Sequence, residues 1–356
     1  MNRLHGILFA CGTYPGLQEL TDFRTAAALP FGGQYRLIDF MLSSFVNAGI
    51  SQIGVILQER YQSLLEHLGS GKDWDLSRKW GGLKLLPPFS YTGQQEYGGP
   101  QGEVQVLGRL FSYLQQIRQE YVILSPSNLV TNLPITDCFS AHLRSGADIT
   151  AVCASEPAPE SDHFCGRQQN HHWNPLQVYI LSKKLLLTLT EYGVSHHLTS
   201  FGQEVFPALR HLLSIHPYYF DGYAAPIQSK AEYFARSMEL FDPQVSASLF
   251  RPDRPIRTKD HYDPSTYYGP EAQLKDVLAA DGCIIEGKVE HSILFRGACV
   301  EQGASVEHCI LMENTVIHAG SSLRHVIADK GAAVGPDSRV LQTESDPLVL
   351  PKGSAV

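Results

Sequence analysis

The sequence predicts an α/β domain followed by a parallel β-helix, and three observations carry that expectation. From residue 6 to about 240, short apolar runs alternate with longer amphipathic stretches, the pattern of strands covered on both faces by helices. Residues 241–270 are punctuated by Asp242-Pro243, Arg251-Pro252, Arg254-Pro255, Asp263-Pro264 and Gly269-Pro270, which interrupt any long helix or strand. Beyond them a six-residue repetition sets in. The expected organisation is a domain over 1–240, a linker over 241–270 and a repeat domain over 271–356. A length of 356 residues agrees with about two domains and with a core that needs no metal or disulfide staples.

Each element has a local reason. Gly6 to Ala10, Ile53 to Leu57, Tyr121 to Leu124, Asp148 to Ala154 and Leu176 to Leu181 are near-continuously apolar, as buried parallel strands are. Arg36 to Ala48, Gly102 to Arg118 and Ser182 to Tyr192 repeat apolar residues at helical spacing, with Leu37, Met41 and Phe45 on one face of the first and Gly49 where it stops. In the repeat region Gly297-Ala298-Cys299-Val300-Glu301 is followed six residues later by Gly303-Ala304-Ser305-Val306-Glu307. Leu294, Val300, Val306 and Met312 keep that period. One hexad cannot bury its apolar side chain alone, whereas stacked coils form a continuous aliphatic column.

Composition narrows the function. The chain is 43% hydrophobic and 18% charged, and no run approaches the roughly 18 apolar residues of a membrane span. The apolar run near the N-terminus is too short for a signal peptide and reads as a strand leading into a turn. Seven cysteines without a Cys-x-x-Cys pair fit reduced thiols in the cytoplasm. A formal charge of −8 gives no general attraction to nucleic acid or anionic lipid. A small ligand or another protein is the expected partner.

The first strand runs into Ala10-Cys11-Gly12-Thr13-Tyr14-Pro15-Gly16-Leu17, a glycine-containing loop where α/β domains wrap phosphates. Its spacing matches neither a dinucleotide fingerprint nor a P-loop. Pro30-Phe31-Gly32-Gly33-Gln34-Tyr35-Arg36-Leu37-Ile38-Asp39-Phe40, followed by Asn47-Ala48-Gly49-Ile50, is more specific. With Ser200-Phe201-Gly202-Gln203-Glu204-Val205-Phe206-Pro207 and Arg254-Pro255-Ile256-Arg257-Thr258, it resembles the glucose-1-phosphate adenylyltransferases, the ADP-glucose pyrophosphorylases of glycogen and starch synthesis. The resemblance covers nearly the whole chain. It implies a nucleotidyltransferase domain with a Rossmann-like, mainly parallel sheet, a linker and a left-handed β-helix of hexapeptide repeats.

The resemblance also implies a reaction, in which the phosphate of glucose 1-phosphate attacks the α-phosphorus of ATP and pyrophosphate leaves. Such transfers rely on positioning and on charge neutralisation by Mg²⁺, Lys and Arg. At the positions that match the family's charged groups this chain departs from the pattern. Gly16 stands at the arginine of the glycine-rich loop, with Tyr14 at its third glycine. Ala26 stands at the lysine of the Lys-Pro-Ala segment. Ser127 and Pro226 stand at the two metal-binding aspartates. Glu103, Asp22 and Asp221 are the candidate substitutes in an active enzyme with a displaced metal site.

The fuller resemblance is therefore to the non-catalytic, D-type regulatory subunit of bacterial glycogen synthesis. It implies no Mg²⁺ in this chain, with the metal in a catalytic partner subunit, and a heterotetramer. Arg24, Arg36 and Arg257 are candidate ligands for a phosphorylated effector, because guanidinium groups bind phosphate bidentately. His163, Cys165, His171 and His172 gather in one polar stretch but match no closed zinc pattern. His291, His308, His318 and His325 lie in or beside the repeat. Hexapeptide acyltransferases use a histidine base, but they do not need a preceding α/β domain of this size.

Overall fold

The computed structural model describes residues 3–57, 59–79, 81–87, 102–155 and 174–356. The cluster of His163, Cys165, His171 and His172 lies outside the described residues. The first domain is built on a seven-stranded sheet. Its order is Ile215–Phe220, Ile149–Ala154, Asn174–Ser182, Tyr121–Pro126, β1 (Leu4–Ala10), Gln52–Leu57 and Gly82–Leu86. β1 is buried along its whole length and pairs in parallel with strands on both sides. One expectation needs correction, since Asn174–Ser182 runs antiparallel to both neighbours. Helices cover both faces of the sheet, so every interior strand is apolar on both sides whatever its direction.

Helix α1 (Leu37–Asn47) buries nine of its residues, from Leu37 to Phe45. Its first turn is closed by Asp39, whose carboxylate accepts from the Arg36 amide at 2.9 Å, and its amphipathic spacing packs it beneath β1. The helix expected over Gly102 to Arg118 divides at Leu110 into Glu103–Arg109 and Phe111–Gln116. Two edge strands, Gly82–Leu86 and Ile215–Phe220, extend the sheet beyond the five read from the sequence. The proline-punctuated stretch contains a short helix, Pro243–Leu249, capped by the Asp242 carboxylate; it fits because Pro243 stands at the first helical position, where no amide is needed.

From Tyr267 onward short parallel strands stack into coils. Lys288 pairs with Ser305, Ser305 with Ser322 and Ser322 with Arg339. Each coil thus advances 17 residues, one fewer than three hexads, and the six-residue period is the spacing of faces within a coil. Val289, Val300, Val306, Leu311, Ile317 and Leu323 lie in its buried core.

The two domains share a core. Leu17, Phe31, Phe40, Tyr233 and Phe234 of the first pack with Ile293, Phe295, Ile310 and Met312 of the β-helix. Among the described residues no helix is long and apolar enough to cross a membrane.

Candidate functional site: the cleft at the carboxyl ends of the strands

The loop after β1 and the strand ends Pro126 and Ala154 open onto a cleft at the carboxyl edge of the sheet, where α/β domains place their ligands. Two cavities meet at Cys11 to Tyr14. The larger, 360 Å³, is lined further by Gln18, Thr21, Asp22, Ala26 and Arg60. The smaller, 240 Å³, is lined by Gly102, Glu103, Gln177, Thr199 and Ser200. Tyr14 lines both. Its ring folds back over Gly12 so closely that a Cβ on Gly12 would collide with the Tyr14 hydroxyl. That hydroxyl donates to Asn128 Oδ1 at 3.0 Å, and Asn128 Nδ2 donates to the Ile227 carbonyl at 2.8 Å. The residue that replaces the third glycine thus lies across the phosphate loop and is latched to the opposite wall. Burial pushes the Tyr14 phenol far up, and the Cys11 thiol up to about 12, so both are uncharged.

The four positions where charge is missing are all accounted for locally. Gly16 opens a tight turn, Pro15–Thr21, and a Cβ there would meet the Gln228 carbonyl oxygen at 2.9 Å and Ser229 Cβ at 3.0 Å. An arginine cannot be accommodated without moving backbone. Ala26 is buried in the turn Ala26–Ala28. Ser127 is buried, and its hydroxyl donates to the Phe9 carbonyl at 2.8 Å. Pro226 is exposed on the short strand Ala224–Pro226, paired opposite Leu129. The fold brings 127 and 226 to neighbouring strand ends, as a two-carboxylate metal site requires, but the donors do not suit Mg²⁺. Proline offers no side-chain ligand, the Ser127 hydroxyl is committed to Phe9, and the Asn128 amide is held between Tyr14 and Ile227.

The carboxylates that could substitute are dispersed. Glu103 stands in the smaller cavity, where burial raises its carboxyl to about 7. Asp22 lines the larger one, 4.0 Å from the Arg60 guanidinium. Asp221 accepts a hydrogen bond from Ser155. No group of three metal-ligating side chains converges among the described residues. Gln18 and Gln177, one in each cavity, have φ of 46° and 57°, left-handed values that cost energy in a non-glycine residue.

The three candidate effector arginines do not converge. Arg24 is 3% exposed and grips both carboxylate oxygens of Asp329 in the β-helix at 2.7 Å. Arg36 donates to the Ser63 carbonyl and hydroxyl at 2.8 Å, and burial lowers its pKa. Arg257 is exposed, and its amide donates to Ser43 Oγ at 2.8 Å. Near Arg24 and Arg36, Lys330 pairs with Glu313 at 2.5 Å, and burial followed by the charge of Arg36 lowers the lysine to about 8. Sequence reading missed Asp329 as the partner of Arg24, which lies 305 residues away.

The motifs that carried the resemblance also have structural work. Asp39 accepts from Thr258 Oγ1 at 2.7 Å and meets His67 Nε2 at 2.6 Å, which ties the linker to α1. Glu204 accepts from the Thr199 hydroxyl at 2.9 Å and the Ser200 amide at 3.0 Å. Its backbone donors hold its pKa down.

Comparison with known proteins agrees with this architecture. The nucleotidyl transferase family pattern matches residues 5–165, and the GlmU-like, C-terminal hexapeptide pattern matches residues 266–346. The chain is 39% identical to the glycogen biosynthesis protein GlgD of Bacillus subtilis (strain 168) over 353 residues, covering 99% of this chain and 96% of that protein. It is 36% identical over 305 residues to the GlgD of Geobacillus stearothermophilus, covering 85% and 82%. Over 325 residues it is 30% identical to the glucose-1-phosphate adenylyltransferase of Thermotoga neapolitana, covering 85% and 76%.

Proposed function

The chain belongs to the glucose-1-phosphate adenylyltransferase family, and we propose that within it this protein is a catalytically inactive, regulatory subunit. Its role is in glycogen biosynthesis in the cytoplasm, where it activates or stabilises a catalytic subunit that converts ATP and glucose 1-phosphate to ADP-glucose and pyrophosphate. The observation that carries the reading is the Tyr14 latch over the phosphate loop, with neither Ser127 nor Pro226 able to supply a carboxylate. A transfer that depends on neutralising phosphate charge has no means to do so in this cleft. Mg²⁺ belongs to the partner in this account. The names of the GlgD relatives support the pathway.

Such a subunit acts through its surface. In a heterotetramer it biases the partner between two conformations by making different contacts with each. Arg257, exposed beside the linker, is the candidate of the three that is free to meet a phosphorylated effector, since Arg24 and Arg36 are held inside the protein. The reading is tested with the isolated chain and a variant that restores the missing groups, Ala26→Lys/Ser127→Asp/Pro226→Asp. Neither should release pyrophosphate from ATP and glucose 1-phosphate with Mg²⁺. Turnover by the unmodified chain would instead establish an active enzyme with a displaced metal site.

A further inference from the structure

The coils of the β-helix turn through left-handed residues that recur every 17 positions. One column is Gly297, Asn314 and Gly331, and a second is Gly303, Gly320 and Asp337, residues that tolerate positive φ. The third is Asp276, His291, His308 and His325, with φ of 51°, 45°, 48° and 51°. Strand pairing sets Asp276 opposite His291. The amides of His308 and His325 donate to the carbonyls of Glu290 and Glu307 in the preceding coil at 3.1 and 3.3 Å. The imidazoles therefore stack, with centroids 4.6 Å apart between His291 and His308 and 5.2 Å between His308 and His325. The stack is also a domain contact. Phe241 lies 4.3 Å from His291, and Phe234 meets His325 edge-on at 6.0 Å.

We infer that this histidine column is a pH-sensitive clasp between the β-helix and the segment Lys230–Phe241 of the first domain, closed while the imidazoles are uncharged and loosened as they take up protons. Protonation of neighbours in the stack places like charges about 5 Å apart. The face presented by the first domain is the two phenylalanines, which offer no counter-charge. The charged residues of that segment are engaged elsewhere or with one another: Lys230 pairs with Asp346 at 2.9 Å, and Arg236 with Glu239 at 2.6 Å. Within the β-helix, Asp276, Glu290 and Glu344 act on His291, and Glu344, Glu307 and Arg324 act on His325. Glu290 and Glu307 are themselves paired with Lys275 and Arg324 at 2.6 Å. His325 Nδ1 is buried with no hydrogen-bond partner among the described residues, so a proton there would lack an acceptor.

The sign follows from linkage. Burial first, and the neighbouring His308 second, lower the pKa of His291 and His325 below 6.5 in the folded protein. The open or unfolded state then binds more protons, so the contribution is fully present above pH 6.5 and is lost as pH falls below it. Hydrogen exchange of the full chain, corrected for the intrinsic pH dependence of amide exchange, reads the effect. Protection of residues 230–241 should fall at least about tenfold between pH 7.5 and pH 5.5, because each depressed histidine contributes up to about tenfold over that interval. In the variant His291→Asn/His308→Asn/His325→Asn, which keeps residues that accept the left-handed bend, the fall should disappear. If that variant does not fold, His308→Asn alone should reduce it. Unchanged protection in the natural chain across this range, or an undiminished fall in the variants, would overturn the proposal.

Discussion

In the cleft, Gly16, Ala26, Ser127 and Pro226 present no ionised side chain, whereas at the contact with the β-helix Arg24 grips Asp329 and Lys330 meets Glu313 out of water. The same loop that lost its phosphate cation leads directly into Arg24. Charge in this protein therefore serves to hold one domain on the other rather than to hold a nucleotide. The difference teaches that a guanidinium is read by its partner: Arg24 and Arg36 have the chemistry of phosphate ligands, but each is already satisfied within the chain.

The comparison is broken most forcefully at the interface. Arg24→Met leaves the Asp329 carboxylate buried and unpaired, and should destabilise the protein by about 3–5 kcal/mol in denaturant unfolding. Arg24→Met combined with Asp329→Leu removes both charges and should recover most of that loss. Recovery no greater than either single variant would show that packing, not the ion pair, dominates there.

A smaller effect is expected in the cleft. Gly16→Ala introduces a Cβ 2.9 Å from the Gln228 carbonyl oxygen, and should lower stability by about 1–3 kcal/mol as the loop shifts. A neutral result would mean that the loop has room for the missing arginine.

The smallest effect concerns Glu103, whose carboxyl burial raises from 4.5 to about 7. The folded state then holds a proton that the unfolded chain releases, so stability falls as pH rises from 4.5 to 7 and the cost is complete above 7. Glu103→Gln should gain on the order of 1–2 kcal/mol relative to the natural chain at pH 8 compared with pH 4.5. Parallel pH profiles for the two would contradict the assignment.

Much of the fold was legible because buried strands and hexads write apolarity directly into the sequence. The direction of Asn174–Ser182 was not, since a strand covered on both faces looks the same whichever way it runs. The edge strands escaped because Lys84 and His216-Pro217 interrupt their apolar runs. In the site, the empty positions could be read only by resemblance, as a missing charge has no period. The hydrogen bond between Tyr14 and Asn128 joins residues 114 apart, and local pattern carries no trace of it. The even spacing of His291, His308 and His325, by contrast, stood in the sequence; the hexads alone did not disclose that 17 residues make one coil.

Pyrophosphate release by this chain, by a catalytic subunit with both metal aspartates, and by the two mixed tests the central claim most directly. The account predicts no turnover from this chain, and in the mixture a rate or substrate affinity above that of the catalytic subunit alone. Mg²⁺-dependent turnover by this chain on its own, or a mixture no different from the catalytic subunit, would contradict it.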